Sequence, residues 1–147
     1  MQFTRLHLEK WRNFYEVDVS VRSRAFVVGP NASGKSNLLD AIRFLRDVAS
    51  VGGGFQEAIQ KRGGVSKIRS LSARRYPGVG VSVHIGENGQ EDLWQYSLRF
   101  TQDNQRKPIL TDEEVRRSGE GGPEAARRFR QDRSRTAAAD APRANQR

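Results

Sequence analysis

At 147 residues the chain is long enough for one domain with a sizeable core and too short for two. Its 26 Lys and Arg against 17 Asp and Glu give a formal charge of +9, which favours polyanionic partners, nucleic acid first and anionic membrane second, although a triphosphate site alone accounts for some of the excess. The absence of cysteine excludes disulfides and thiolate metal sites; no apolar run approaches the roughly 18 residues that span a bilayer, and the N-terminus alternates charged and apolar residues unlike a signal peptide, so a soluble cytoplasmic chain without a membrane partner is expected.

In chain order, Leu6 and Leu8 alternate with Arg5 and His7, which predicts a short half-buried strand. Val17, Val19 and Val21 alternate with Asp18, Ser20 and Arg22 and predict a second, with Trp11-Arg12-Asn13-Phe14 as the connection. Ala25-Phe26-Val27-Val28 is a continuous apolar run that stops at Gly29. Such a run predicts a strand covered on both faces, the usual state of a central strand in an α/β sheet. Leu38, Ile42, Leu45 and Ala49 then recur at helical spacing, with Asn37, Asp40, Arg43 and Asp47 facing away. Asp40 and Asp47 read as solubility charges. Three glycines at 52–54 end the helix.

Residues 55–61 suit a short helix, followed by Gly63-Gly64 and the basic residues Lys67, Arg69, Arg74 and Arg75. That cluster is a solvated face or, on the sharper reading, a contact for DNA phosphates. Val79, Val81, Val83 and Ile85, then Trp94, Tyr96, Leu98 and Phe100, alternate across Asn88-Gly89, predicting an antiparallel hairpin. Ile109-Leu110 suits the start of another strand. From Ser118 onward no periodicity is visible. That stretch has seven Arg against four acids and reads as a basic, disordered tail over 118–147, after a compact unit over 1–117.

The chemistry lies at residues 29–36. Gly29-Pro30-Asn31-Ala32-Ser33-Gly34-Lys35-Ser36 fits G-x-x-x-x-G-K-[ST], the Walker A loop, at every fixed position. The glycines allow a tight turn whose successive N–H groups point inward at phosphate oxygens. Lys35 brings a flexible point charge to the β- and γ-phosphates. Ser36 offers a hydroxyl to Mg²⁺, which takes few protein ligands. The helix beginning here adds its positive dipole end. The expected ligands are ATP and Mg²⁺.

The run Gly-Pro-Asn-Ala-Ser-Gly-Lys-Ser-Asn-Leu-Leu-Asp-Ala-Ile from Gly29 also resembles the Walker A loop and helix of ABC-like ATPases of the RecF and SMC group. Arg12-Asn13-Phe14 is similar to the element between that group's first two strands. The stretch from Gly63 through the hairpin to Glu114 is similar to the β-rich arm of bacterial AAA-family ATPases of the group. The resemblance covers about residues 1–117. It implies an α/β fold of the P-loop NTPase class, the first lobe of an ABC/RecF/SMC-like head with an antiparallel β arm. It further implies an ATPase head that dimerises around two ATP molecules in the complete protein, acting in DNA repair, chromosome handling or phage defence. It places Asn37 near the α-phosphate, and Arg12 and Asn13 near the nucleotide's edge.

The family's remaining motifs do not follow. A Walker B strand ending in Asp-Glu, a Ser-Gly-Gly signature and a switch His are missing, so no catalytic residue is assigned. Asp112-Glu113-Glu114 has only Ile109-Leu110-Thr111 before it, with Pro108 close by, and reads as a solvated turn or strand edge instead. The break near Ser118 suggests a truncated or frameshifted gene. The rival reading is a non-hydrolysing nucleotide- or nucleic-acid-binding regulator that uses its basic tail. A GTPase is disfavoured because no Asn-Lys-x-Asp motif occurs, and a small-molecule kinase because the hairpin resembles neither lid nor acceptor site. His7 and His84 read as surface or partly buried side chains, and Trp94, Tyr96 and Phe100 as packing rather than base-stacking groups.

Overall fold

The strands form a six-stranded sheet in which every pairing is antiparallel, and period-two alternation marks its inner strands. The structure, a computed structural model, describes residues 1–71, 78–87, 90–119 and 122–129. The strands are β1 (Gln2–Glu9), β2 (Glu16–Ser20), β3 (Val79–Glu87), β4 (Gln90–Gln102), β5 (Pro108–Gly119) and β6 (Gly122–Phe129), in the order β2-β1-β3-β4-β5-β6. The register stacks like with like. Leu6 faces Val19 and Val83, Leu8 faces Val17 and Val81, Val81 faces Leu98, and Val79 faces Phe100. The inner strands β1, β3 and β4 bury these side chains almost completely.

The opposite face carries cross-strand charge. Arg5 donates to Asp18 from Nε at 2.7 Å, His7 Nε2 lies 3.3 Å from Glu16, and Arg99 pairs with Glu9. The hydrogen bonds from Arg5 hold the Asp18 carboxyl below its ordinary range.

Three helices cover the apolar face: α1 (Lys35–Ala49), α2 (Phe55–Gln60) and α3 (Val65–Ile68). Phe44 of α1 is the keystone. Its ring centroid lies 5.3 Å from that of Trp11 and 5.6 Å from that of Phe100, and Phe55 meets Phe100 at 5.4 Å. Each fully buried side chain of this kind contributes about 1.5–3 kcal/mol of hydrophobic stabilisation. The buried stripe of α1 is Ala41, Phe44 and Leu45, with Leu38, Ile42 and Val48 beside it, and Ala49 is exposed. The helix is thus rotated from the expected stripe, because the Phe44 ring wedges between Trp11 and Phe100.

Two further expectations are corrected by the structure. Residues 25–28 form no strand: Phe26 and Val28 are each 90% exposed and Val27 42%. An apolar run reports strand propensity, but burial needs a partner, and among the described residues no strand pairs with it; both edges of β1 are occupied by β2 and β3. Asp40 and Asp47 are not solvated charges. Both carboxylates meet Arg62, whose side chain is only 6% exposed.

The β3–β4 hairpin forms as expected, with Glu87 opposite Gln90, whereas the Asn88-Gly89 turn lies outside the described residues. At the C-terminal end, β5 runs to Gly119 and pairs with β6, so strand pairing continues beyond residue 117 as far as Phe129. Backbone pairing needs no hydrophobic periodicity, which is why the sequence pattern did not signal it. Residues 130–147 lie outside the described residues.

Candidate functional site

The glycine-rich loop enters α1 through Gly34, which has φ 100 and is buried. Two separate constraints demand glycine there. The backbone is left-handed, and a Cβ would sit 2.5 Å from Asn13 Nδ2 and 2.7 Å from Phe14 Cζ. Tertiary packing of the 11–14 connection against the loop therefore reinforces what the local turn already requires. Ala32 also has a positive φ of 62, a strained value for a residue with a Cβ.

Lys35, the first residue of α1, folds back into the loop. Its Nζ donates to the carbonyls of Gly29 and Pro30, each at 2.6 Å. An ammonium held by two neutral carbonyls is available to an anion, because charge-assisted bonds to phosphate oxygens are the stronger ones. Ser36 is exposed on the first helical turn. Among the described residues no group of three or more His, Asp or Glu could hold a metal. A single hydroxyl is what a Mg²⁺ ion coordinated chiefly by phosphate and water asks of the protein, so Ser36 fits that role.

The 11–14 connection is fixed to the same corner. Trp11, fully buried, donates from Nε1 to the Asn37 carbonyl at 2.9 Å. Asn37 Nδ2 donates to Asn13 Oδ1 at 2.8 Å. The Arg12 guanidinium reaches the Lys67 carbonyl at 3.1 Å and Asp40 Oδ2 at 3.0 Å. Backbone bonds from Arg12 N to Ile68 O, 2.6 Å, and from Ser70 N to Lys10 O, 2.8 Å, lock the connection to the segment after α3. Lys10 and Arg12 pay for this with positive φ values of 55 and 53.

Arg12, Asn13 and Asn37 thus converge, as the spacing alone does not reveal, and together with Ser66, Lys67, Arg69, Ser70 and Leu71 they line a cavity of about 640 Å³. That volume lies in the range of small-molecule sites, about 300–1,000 Å³. Lys67 and Arg69, read from sequence as part of a basic cluster on a solvated face or against DNA phosphates, line this cavity; Arg74 and Arg75 lie outside the described residues.

Sequence reasoning missed Arg62. It donates from Nε to Asp40 at 3.1 Å and from Nη1 to Asp47 at 3.0 Å and to the Ala58 carbonyl at 2.8 Å, and its Cζ lies 5.3 Å from the Phe44 ring centroid. The hydrogen bonds from Arg46 and then from Arg62 hold the Asp47 carboxyl below its ordinary range. An arginine after a short helix carries no local pattern that announces burial, so no signal in the sequence would have found it.

Asp112, Glu113 and Glu114 lie on β5 opposite Arg99, Leu98 and Ser97 of β4, and Glu113 accepts the Tyr96 hydroxyl at 2.7 Å. They are strand residues of the arm. No helix among the described residues is long and apolar enough to cross a membrane.

Comparison with known proteins points the same way. Residues 24–145 match the family described as "AAA domain, putative AbiEii toxin, Type IV TA system". The chain is 28% identical over 95 residues to the DNA replication and repair protein RecF of Synechocystis sp., covering 63% of this chain and 25% of that protein. It is 30% identical over 121 residues to RecF of Halalkalibacterium halodurans, covering 63% of this chain and 33% of that one. The chain therefore spans a quarter to a third of the length of these curated relatives. Among solved structures it is similar, with a TM-score of 0.52 and 18% identity over 80% of this chain and 72% of the other, to a chain from work on ATP-driven dimerization and DNA-stimulated activation of SMC ATPases.

Proposed function

The chain belongs to the AAA-domain family matched over residues 24–145, and on that premise we propose that it binds ATP with Mg²⁺ through residues 29–36. The observation that carries this reading is the Lys35 ammonium, drawn into the loop by the Gly29 and Pro30 carbonyls at the start of a 15-residue helix. Entry of a triphosphate exchanges those two neutral acceptors for phosphate oxygens, while the N–H groups of the first turn and the helix dipole face the same charge. Ser36 would hold Mg²⁺, whose contribution when bound is to neutralise the β- and γ-phosphates.

The cavity beside the loop takes the rest of the nucleotide. Asn37 lies nearest the loop in sequence and contacts the α-phosphate side, and Arg12 and Asn13 border the ribose and base side.

The complete protein, at the length of its relatives, is a RecF/SMC-like ATPase whose heads dimerise around ATP, with DNA as a partner and DNA repair or phage defence as its setting, in the cytoplasm. The names of the RecF relatives support the DNA-repair setting, and the structural likeness to an SMC ATPase chain supports the fold of such a head. The 147-residue chain itself hydrolyses ATP slowly, because the residues that orient the attacking water and the partner's signature are not among its motifs.

Calorimetric titration of Mg·ATP onto the folded 147-residue chain tests the reading. Binding that Lys35→Ala abolishes is expected. Absence of heat, or a lysine dispensable for it, overturns the proposal. Turnover at the rate of a complete ATPase would contradict the slow hydrolysis assigned to this chain.

A further inference from the structure

We propose that Asp40 is a positioning residue: it fixes the Arg12 guanidinium at the wall of the cavity and so sets the affinity for the nucleotide without touching it. The inference rests on the reading of residues 29–36 as an ATP site. It starts from how Arg12 is held. This residue sits at a strained φ of 53, and its Nε is buried with no hydrogen-bond partner. A buried, unsatisfied donor opposes folding, so another interaction must keep the side chain in place.

Among the described residues two acceptors bind the guanidinium, the Lys67 carbonyl and the Asp40 carboxylate, and of these Asp40 alone is charged. Asp40 projects from the second turn of the helix that begins with Lys35. It thereby ties the cavity wall to the same rigid element that carries the phosphate loop.

Asp40 is itself held from behind. Arg62 Nε lies 3.1 Å from Oδ1 and 3.2 Å from Oδ2, and Arg62 is anchored in turn by Asp47, the Ala58 carbonyl and the Phe44 ring. The carboxylate therefore serves two arginines. Arg62, almost wholly buried, secures the packing of α1 against α2, while Arg12, with 27% of its side chain exposed, faces the cavity. Removing the charge on Asp40 leaves Arg12 with neutral acceptors only and a long, mobile side chain. The guanidinium must then be ordered by the ligand, and that ordering subtracts from binding.

The test is a double-mutant cycle read by Mg·ATP affinity on the 147-residue chain, with thermal midpoints measured alongside. Arg12→Ala is expected to weaken binding about tenfold, as loss of a charged hydrogen-bonding group does. Asp40→Asn should weaken it by about three- to tenfold, and the double variant should bind no more weakly than Arg12→Ala alone, since Asp40 acts through Arg12. Asp40→Glu, which keeps the charge one methylene further out, should recover part of the loss.

A purely structural role predicts otherwise. Asp40→Asn would lower the thermal midpoint yet leave the affinity of the folded protein unchanged, or its effect would multiply with that of Arg12→Ala; either outcome overturns the proposal. Should Asp40→Asn not fold, Asp40→Glu together with solvent exchange of the Arg12 Nε–H by NMR decides the matter: faster exchange with weaker binding supports the proposal, and unchanged affinity sinks it. If Lys35→Ala fails to abolish Mg·ATP binding, the loop reading fails; if it does abolish binding and Asp40→Asn has no effect, this inference alone fails.

Discussion

Strand β3 and residues 25–28 carry the same kind of apolar, β-branched sequence and end in opposite situations. In β3, Val79, Val81 and Val83 are at most 3% exposed, because β1 and β4 occupy both edges and the helices cover one face. In the other run, Phe26 and Val28 are exposed to solvent, and among the described residues no strand lies alongside. The contrast separates two things that a hydrophobic run is usually taken to say at once. Propensity for an extended backbone is local, whereas burial depends on partners brought in from far along the chain. The loop that follows residues 25–28 is fixed by neither; it is fixed by Trp11, Asn13 and Phe14 packing against α1.

The largest effect that would sharpen this comparison is expected at Phe100. Truncation of Phe100 to Ala removes the ring shared by Phe44 and Phe55 and should cost about 3–5 kcal/mol in denaturant unfolding. Next is Gly34→Ala, where a strained backbone meets Asn13 and Phe14; a loss of about 1–3 kcal/mol is expected, with Mg·ATP binding falling along with it. Retention of both stability and binding would show that the 11–14 connection does not define the loop.

A smaller effect is expected on the alkaline side. Burial first, and then the bond to Glu113, push the Tyr96 phenol far above its ordinary value. The unfolded chain ionises this phenol from about pH 10 while the folded chain does not. The stabilisation is therefore whole below that pH and is lost progressively as pH rises toward the folded value. Tyr96→Phe should flatten this alkaline decline in thermal midpoint. The smallest effect is expected at Phe26: its replacement by Ser should change stability by less than about 0.5 kcal/mol, as at other exposed positions. A loss comparable to that at Phe100 would erase the contrast.

Much of the arm was legible in advance. Val79 to Ile85 and Trp94 to Phe100 alternate cleanly, and the sheet pairs them in the register that alternation requires, Val81 on Leu98 and Val83 on Tyr96. The loop was legible because its residue types are demanded by local geometry: positive φ at Gly34 and a lysine at the next position. Other features were not. The burial of Asp40 and Asp47 depends on Arg62, which approaches from the far end of α2, and the convergence of Arg12, Asn13 and Asn37 depends on how the 11–14 connection folds back onto α1.

Sequence by itself determined the candidate chemistry, a lysine and a hydroxyl behind a flexible bend, because backbone dihedrals and charge are properties of neighbours in the chain. It also marked β1 to β4, because their period-two alternation is local. Tertiary structure alone decided which apolar run is buried, which acid faces an arginine, and what forms the wall beside the loop. Those depend on contacts between residues some 20 to 90 positions apart, from Arg62 on Asp40 to Arg99 on Glu9, and no window of sequence contains both partners.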